Sequence, residues 1–143
     1  MSSEYRDKWY GNTIEERIEM YPHELPIDAV GLWQIVPFGW DGFNLRGNDL
    51  TDFTRRCVIR LLDYGAKPVR GGKGTAYDWI LQPQYGRTNE EITNSVIAEW
   101  LEAGGGEPKV ADWQDFQNPA NPGGIWFALP KDGRYLVGLD QCN

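Results

Sequence analysis

Apolar residues recur at helical spacing in three stretches of the chain, each marked by residues that start or stop a helix. The clearest opens with Thr88-Asn-Glu-Glu91. This is a capping box, in which the threonine hydroxyl accepts from a backbone N–H and the glutamate reaches back to the cap. Ile92, Val96 and Trp100, with Ile97 and Leu101, then fall on one face, while Glu99 and Glu102 fall off it. Gly104-Gly105-Gly106 supplies the stop. Thr13-Ile-Glu-Glu16 is a second capping box, ahead of Ile14, Ile18 and Tyr21, and Pro22 and Pro26 end that shorter helix. The third helix starts at Asp49 or Thr51. Its stripe is Phe53, Cys57 and Leu61 with Val58 and Leu62, its solvated side carries Arg55, Arg56, Arg60 and Asp63, and Gly65 followed by Pro68 closes it.

A tryptophan followed four residues later by proline comes after each helix: Trp33-Gln-Ile-Val-Pro37, Trp79-Ile-Leu-Gln-Pro83 and Trp126-Phe-Ala-Leu-Pro130. The tryptophans are 46 and 47 residues apart, so the chain reads as one domain, 1–143, with internal repeats at about 12–39, 50–86 and 88–133. Both faces of each segment are largely apolar, which predicts strands covered on two sides, with proline at the strand end. Gln34 and Gln82 are polar exceptions that need partners. Lys131-Asp-Gly-Arg134 is a turn signal, and Tyr135–Leu139 returns from it as a fourth strand. The expected class is α/β, or α+β. Three helix-strand repeats build one mostly parallel small sheet packed by helices, with a C-terminal β-hairpin. In the α+β variant each helix packs beside a local hairpin. No repeat can bury its stripe alone, so the three should share one core.

With 143 residues, 41% of them hydrophobic, the chain can build such a core and is too apolar for a disordered one. No apolar run approaches the roughly 20 residues that cross a bilayer, and the first residues lack the apolar stretch of a signal peptide. Cys57 and Cys142 have no framework spacing and read as free thiols, which fits a cytoplasmic protein. The net charge of −7 repels phosphates and anionic lipid and speeds encounter with basic proteins. The expected partner is therefore a protein, not nucleic acid or a membrane.

Catalytic patterns do not assemble. His23 is the single histidine, and there is no Cys-x-x-Cys or His-x-x-x-His spacing to make a zinc site. Arg70-Gly-Gly-Lys73-Gly-Thr75 resembles a phosphate loop only superficially. Lys67 stands where the first glycine belongs, Gly74 stands where Ser or Thr belongs, and a strand follows instead of a helix. Cys57 falls on an apolar helix stripe, the place of an inert thiol. Glu15/Glu16 and Glu90/Glu91 are explained by capping. The reading is of a non-enzymatic protein without a cofactor or metal.

Two long connections mix aromatics with aspartate, residues 38–50 and 105–124, and long loops in compact domains are often functional. They supply the candidate partner-binding residues Trp40, Asp41, Asp112, Trp113, Asp115 and Phe116. In size, acidity, aromatic-rich loops and lack of a catalytic motif, the chain resembles the bacterial immunity proteins that neutralise polymorphic or contact-dependent toxins. The resemblance implies direct complex formation with a toxin, often a basic nuclease. The alternative is a small carbohydrate-binding or hydrolytic domain, because exposed tryptophan beside aspartate also suits sugar stacking.

Overall fold

The computed structural model describes residues 5–71, 79–102 and 125–129. They form an α+β fold of four helices and a small antiparallel sheet. In chain order the elements are α1 (Ile14–Glu24), β1 (Val30–Gly31), α2 (Leu32–Pro37), a π-helical turn (Phe38–Gly42), α3 (Gly47–Asp63), β2 (Lys67–Gly71), β3 (Trp79–Leu81), a 3-10 turn (Pro83–Tyr85), α4 (Asn89–Glu102) and β4 (Trp126–Ala128).

Local chemistry sets the helix starts. Thr13 and Glu16 close their capping box at 3.1 and 2.8 Å, and Thr88 and Glu91 close theirs at 3.0 and 3.1 Å. The stripe of α3 is buried at Phe53, Cys57, Val58, Leu61 and Leu62, and that of α4 at Ile92, Val96, Ile97 and Trp100. Leu101, placed on the α4 stripe by its spacing, is instead exposed. At the end of α3, Gly65 takes φ +110 while Ala66 N–H donates to the Leu61 carbonyl. That left-handed step suits glycine. Two boundaries differ from the sequence reading. Pro22 lies inside α1, which runs on to Glu24, and α3 begins at Gly47, ahead of Asp49.

The sheet corrects the expected topology. Its order is β1-β4-β2-β3, and every pairing is antiparallel, not mostly parallel. Two local features account for the difference. The segment Trp33–Pro37, expected as a strand, is helical. Leu32, Ile35 and Val36 are all buried, at helical spacing, and the Gln34 carboxamide oxygen accepts from Gly31 N–H at 2.9 Å. A short apolar run does not distinguish strand from buried helix by periodicity alone, and here the side-chain cap decides. Second, Lys67–Gly71 is a strand. It lies centrally, with Val69 opposite both Leu81 and Trp126. Pro68 argues against a central strand. Its carbonyl still accepts from Gln82 N–H at 3.0 Å. With β2 inserted, α3 feeds a strand that runs antiparallel to β3 and β4. Gln82 finds its partner in the Ile80 carbonyl at 3.0 Å. The expected C-terminal hairpin and the Gly104-Gly105-Gly106 stop lie outside the described residues.

Side chains from α1, β1, α2, α3, α4 and β4 join one apolar cluster, with Tyr21, Phe43, Phe53, Trp100 and Phe127 its largest fully buried members. Helix α3 packs between α1 and α4. Across that layer Arg60 makes two bonds to Glu19, at 2.7 and 2.8 Å, and Arg56 reaches Glu15 at 3.4 Å. These pairs are exposed, so they contribute little. A more protected clamp joins the sheet to α4. Arg70 donates to the Tyr85 hydroxyl at 2.8 Å, and that hydroxyl donates to Glu99 at 2.5 Å.

Burial gives the core a sharp alkaline limit. It pushes up the Cys57 thiol, which is wholly enclosed, and the Tyr21 phenol. Burial, helped by the Glu99 hydrogen bond, pushes Tyr85 up to about 12. All three are neutral in the fold, and unfolding lets them ionise near the ordinary values of about 8.5 for thiol and about 10 for phenol. Their stabilising effect is therefore complete below about pH 8.5 and lost as pH rises towards about 12. Urea midpoints should be unaffected by these groups between pH 6 and 8, then fall from about pH 9 upward. Cys57→Ala should remove the first part of the decline, and an unchanged onset in that variant would refute the assignment.

Candidate functional site

Residues 5–13 form a tight turn ahead of α1, built around one carboxylate. Asp7 Oδ1 accepts from the backbone N–H of Trp9 at 2.8 Å and of Tyr10 at 2.6 Å, and Oδ2 accepts from Asn12 N–H at 2.7 Å. Gly11 completes the turn at φ +75, and Arg6 bridges back to Thr13. Asp7 is buried. Burial works to raise its pKa, but the N–H groups of Tyr10, Asn12, Trp9 and Gly11 together overcome this and hold the carboxyl below its ordinary range. The negative charge is thus used internally, to fix the direction of the two aromatic residues beside it.

The turn lies on the loop that follows α2. Lys8 N–H donates to the Gly42 carbonyl at 3.0 Å, and the Tyr5 hydroxyl donates to the Phe43 carbonyl. Phe38 is the centre of the contact. Trp9 meets it edge-on at 5.1 Å between centroids, and Tyr10 lies nearly parallel to it at 6.1 Å. Despite these contacts Trp9 keeps 49% of its surface exposed and Tyr10 73%. Beneath them the loop is anchored by Phe43, tilted 5.7 Å from both Phe38 and Phe53. Pro37 has no N–H, and beyond it the hydrogen bonding loosens to the π pattern, with Phe43 N–H donating to the Phe38 carbonyl at 3.1 Å. Such widened turns are frequent at functional sites.

Trp40 and Asp41 sit on that π turn. Asp41 is exposed, while Trp40 is half-buried against the core. The Arg46 guanidinium carbon lies 3.5 Å from the Trp40 ring centre, and its Nη1 donates to the Trp40 carbonyl at 2.6 Å. A second guanidinium, of Arg17, lies 3.8 Å from the centre of Phe38 and 4.7 Å from that of Tyr21. Lys8 Nζ is 5.9 Å from Trp9. Trp9 and Trp40 thus each have a cation beside them, as does the buried Phe38.

Of the residues expected from sequence to bind a partner, the structure brings Trp40 and Asp41 onto this surface. Asp112, Trp113, Asp115 and Phe116 lie outside the described residues. Sequence reasoning missed Trp9, Tyr10 and Arg17. The signal was present as Asp7-Lys-Trp-Tyr-Gly-Asn12, an aromatic pair enclosed by turn residues just ahead of a capping box. Among the described residues no group of three or more His, Cys, Asp and Glu side chains is placed to hold a metal ion, and no helix is long and apolar enough to cross a membrane. The fold and surface together define a small α+β protein with a preformed aromatic-cationic face. Comparison of the chain with protein-family models, with curated proteins and with solved structures finds no match.

Proposed function

We propose that the chain is an inhibitory protein-binding domain, of the immunity type that its sequence resembles, and that its partner docks on the face formed by Trp9, Tyr10 and Trp40. One observation carries this reading: Trp9 and Tyr10 remain largely exposed although their backbone is fixed by Asp7 and their rings by Phe38. Tryptophan, tyrosine and arginine dominate the energetic centres of protein interfaces. Rings already ordered in the free protein lose little further entropy on binding. The net charge of −7 supports a toxin that is basic overall, through faster encounter.

The test is co-expression with the toxin-like C-terminal domain of a secreted protein encoded directly upstream. The wild-type chain should protect the cell and bind the domain in calorimetry. Replacing both Trp9 and Tyr10 by alanine should weaken binding by about 30-fold or more. The circular dichroism spectrum should not change, since both residues lie outside the core. Full affinity in the double variant would remove this face from the interface. A saturable tryptophan-fluorescence response to oligosaccharides, with no binding to the toxin domain, would favour the sugar-binding alternative.

A further inference from the structure

Resting on the docking face just described, we infer that Arg17 is the seat for a carboxylate of the partner. The contact surface of that partner is then acidic and apolar at this point, although the chain itself is acidic overall.

Arg17 projects from the second turn of α1 into a slot between Phe38 and Tyr21. Its Nε is buried and has no hydrogen-bond acceptor. Nη1 reaches the Met20 sulfur, at 3.9 Å, a weak acceptor, and the guanidinium also hydrogen-bonds the Tyr21 side chain. Among the described residues, the cations in ion pairs are Arg6, Arg56, Arg60 and Arg70. Arg17 therefore keeps a rigid, charged fork against aromatic walls, and among the described residues no carboxylate is ion-paired to it. A planar guanidinium held in this way matches the two oxygens of a carboxylate. The surrounding rings would exclude water and strengthen the pairing.

Local charge points the same way. The carboxylates nearest Arg17 in sequence are already engaged, Glu15 by Arg56 at 3.4 Å, Glu16 by the Thr13 cap and by Arg6 at 3.5 Å, and Glu19 by Arg60 at 2.7 Å, and Asp7 of the adjoining turn is held by backbone N–H groups. Arg46 and Lys8 add positive charge beside Trp40 and Trp9, against the single exposed carboxylate of Asp41 on the π turn. A partner segment with Glu or Asp next to a large apolar residue satisfies both halves of the site. Its carboxylate meets Arg17, and its apolar side chain packs on Trp9 and Tyr10.

The experiment is an NMR titration of the full chain with three blocked peptides, acetyl-Leu-Glu-Leu-amide and its Gln and Lys counterparts. The Glu peptide should shift the Arg17 side-chain Nε–H and the Trp9 indole signals, and should bind about tenfold or more tighter than the Gln peptide. Arg17→Lys, which keeps the charge but not the fork, should erase most of that preference. Equal binding of the Glu and Gln peptides would overturn the assignment while leaving the docking face intact. A preference for the Lys peptide, or no shift from any peptide at 5 mM (about the weakest binding worth assigning to a preformed seat), would also overturn it. The toxin-binding assay of the Trp9/Tyr10 variant stands apart from these outcomes and tests the docking face by itself.

Discussion

Replacing Trp100 by alanine is expected to lower the free energy of unfolding by about 3–5 kcal/mol, the usual cost of removing a large aromatic side chain from a packed interior. Trp100 is the largest fully buried side chain in the described structure, and it sits in the same cluster as Ile92, Val96 and Ile97 on its own helix. Total stabilities of single domains are about 5–15 kcal/mol, so this one change removes a large part of the margin. Trp100→Phe separates two causes. The indole Nε1 is buried and has no hydrogen-bond partner. An unmet donor costs about 1–3 kcal/mol of desolvation, which phenylalanine does not incur. The phenylalanine variant should therefore lose only part of the packing term and retain most of the stability. Urea unfolding followed by circular dichroism measures both variants. Equal destabilisation by Phe and Ala would show that a phenyl ring recovers none of the packing at this position and would overturn the expectation.

Trp100 also shows what the sequence could and could not reveal. Its place on a helical stripe follows from spacing with Ile92 and Val96, and both capping boxes are visible as Thr-x-x-Glu. Each of those signals is local, and the structure contains the local geometry that it implies. The Trp-x-x-x-Pro segments are equally local as strings, yet Trp33–Pro37 is helical, whereas Trp79–Leu81 and Trp126–Ala128 are strands. An apolar run carries no period of its own. Its conformation is decided by a contact with a residue ahead of the run, here from Gly31 N–H to the Gln34 side chain. Strand direction is a still longer-range property. It turned on β2, where Pro68 hides a strand from any reading based on propensity. The candidate surface was half legible for the same reason. The loop of Trp40 and Asp41 stands out by length and composition. The turn of Trp9 and Tyr10 becomes part of the site only through Phe38, a contact spanning nearly thirty residues of chain.

Gly39→Val is expected to destabilise the fold by about 3 kcal/mol, towards the upper end of the range for overpacking a filled site, and to dismantle the proposed docking face as it does so. A Cβ built on Gly39 would lie 2.8 Å from Leu50 Cδ1 and 2.8 Å from Phe53 Cδ2. Both neighbours belong to the first half of α3 and are fully enclosed, so neither can swing aside into solvent. Relief must come from the π turn lifting off α3. The turn is coupled to the face at several points: Leu45 N–H donates to the Gly39 carbonyl at 2.9 Å, Lys8 N–H bonds to Gly42, and Trp9 and Tyr10 rest on Phe38. Displacing it should therefore expose the amides of residues 40–45 to hydrogen exchange and loosen the 5–13 turn, while α4 stays protected. Leu50→Ala opens part of the space that the new side chain requires. The Gly39→Ala/Leu50→Ala pair should accordingly be less destabilised than the sum of its single variants, by about 1 kcal/mol. Strict additivity, or a Gly39→Val protein within about 0.5 kcal/mol of wild type, would show that the loop adjusts without α3. The face would then be a flexible attachment, not a platform set by the core.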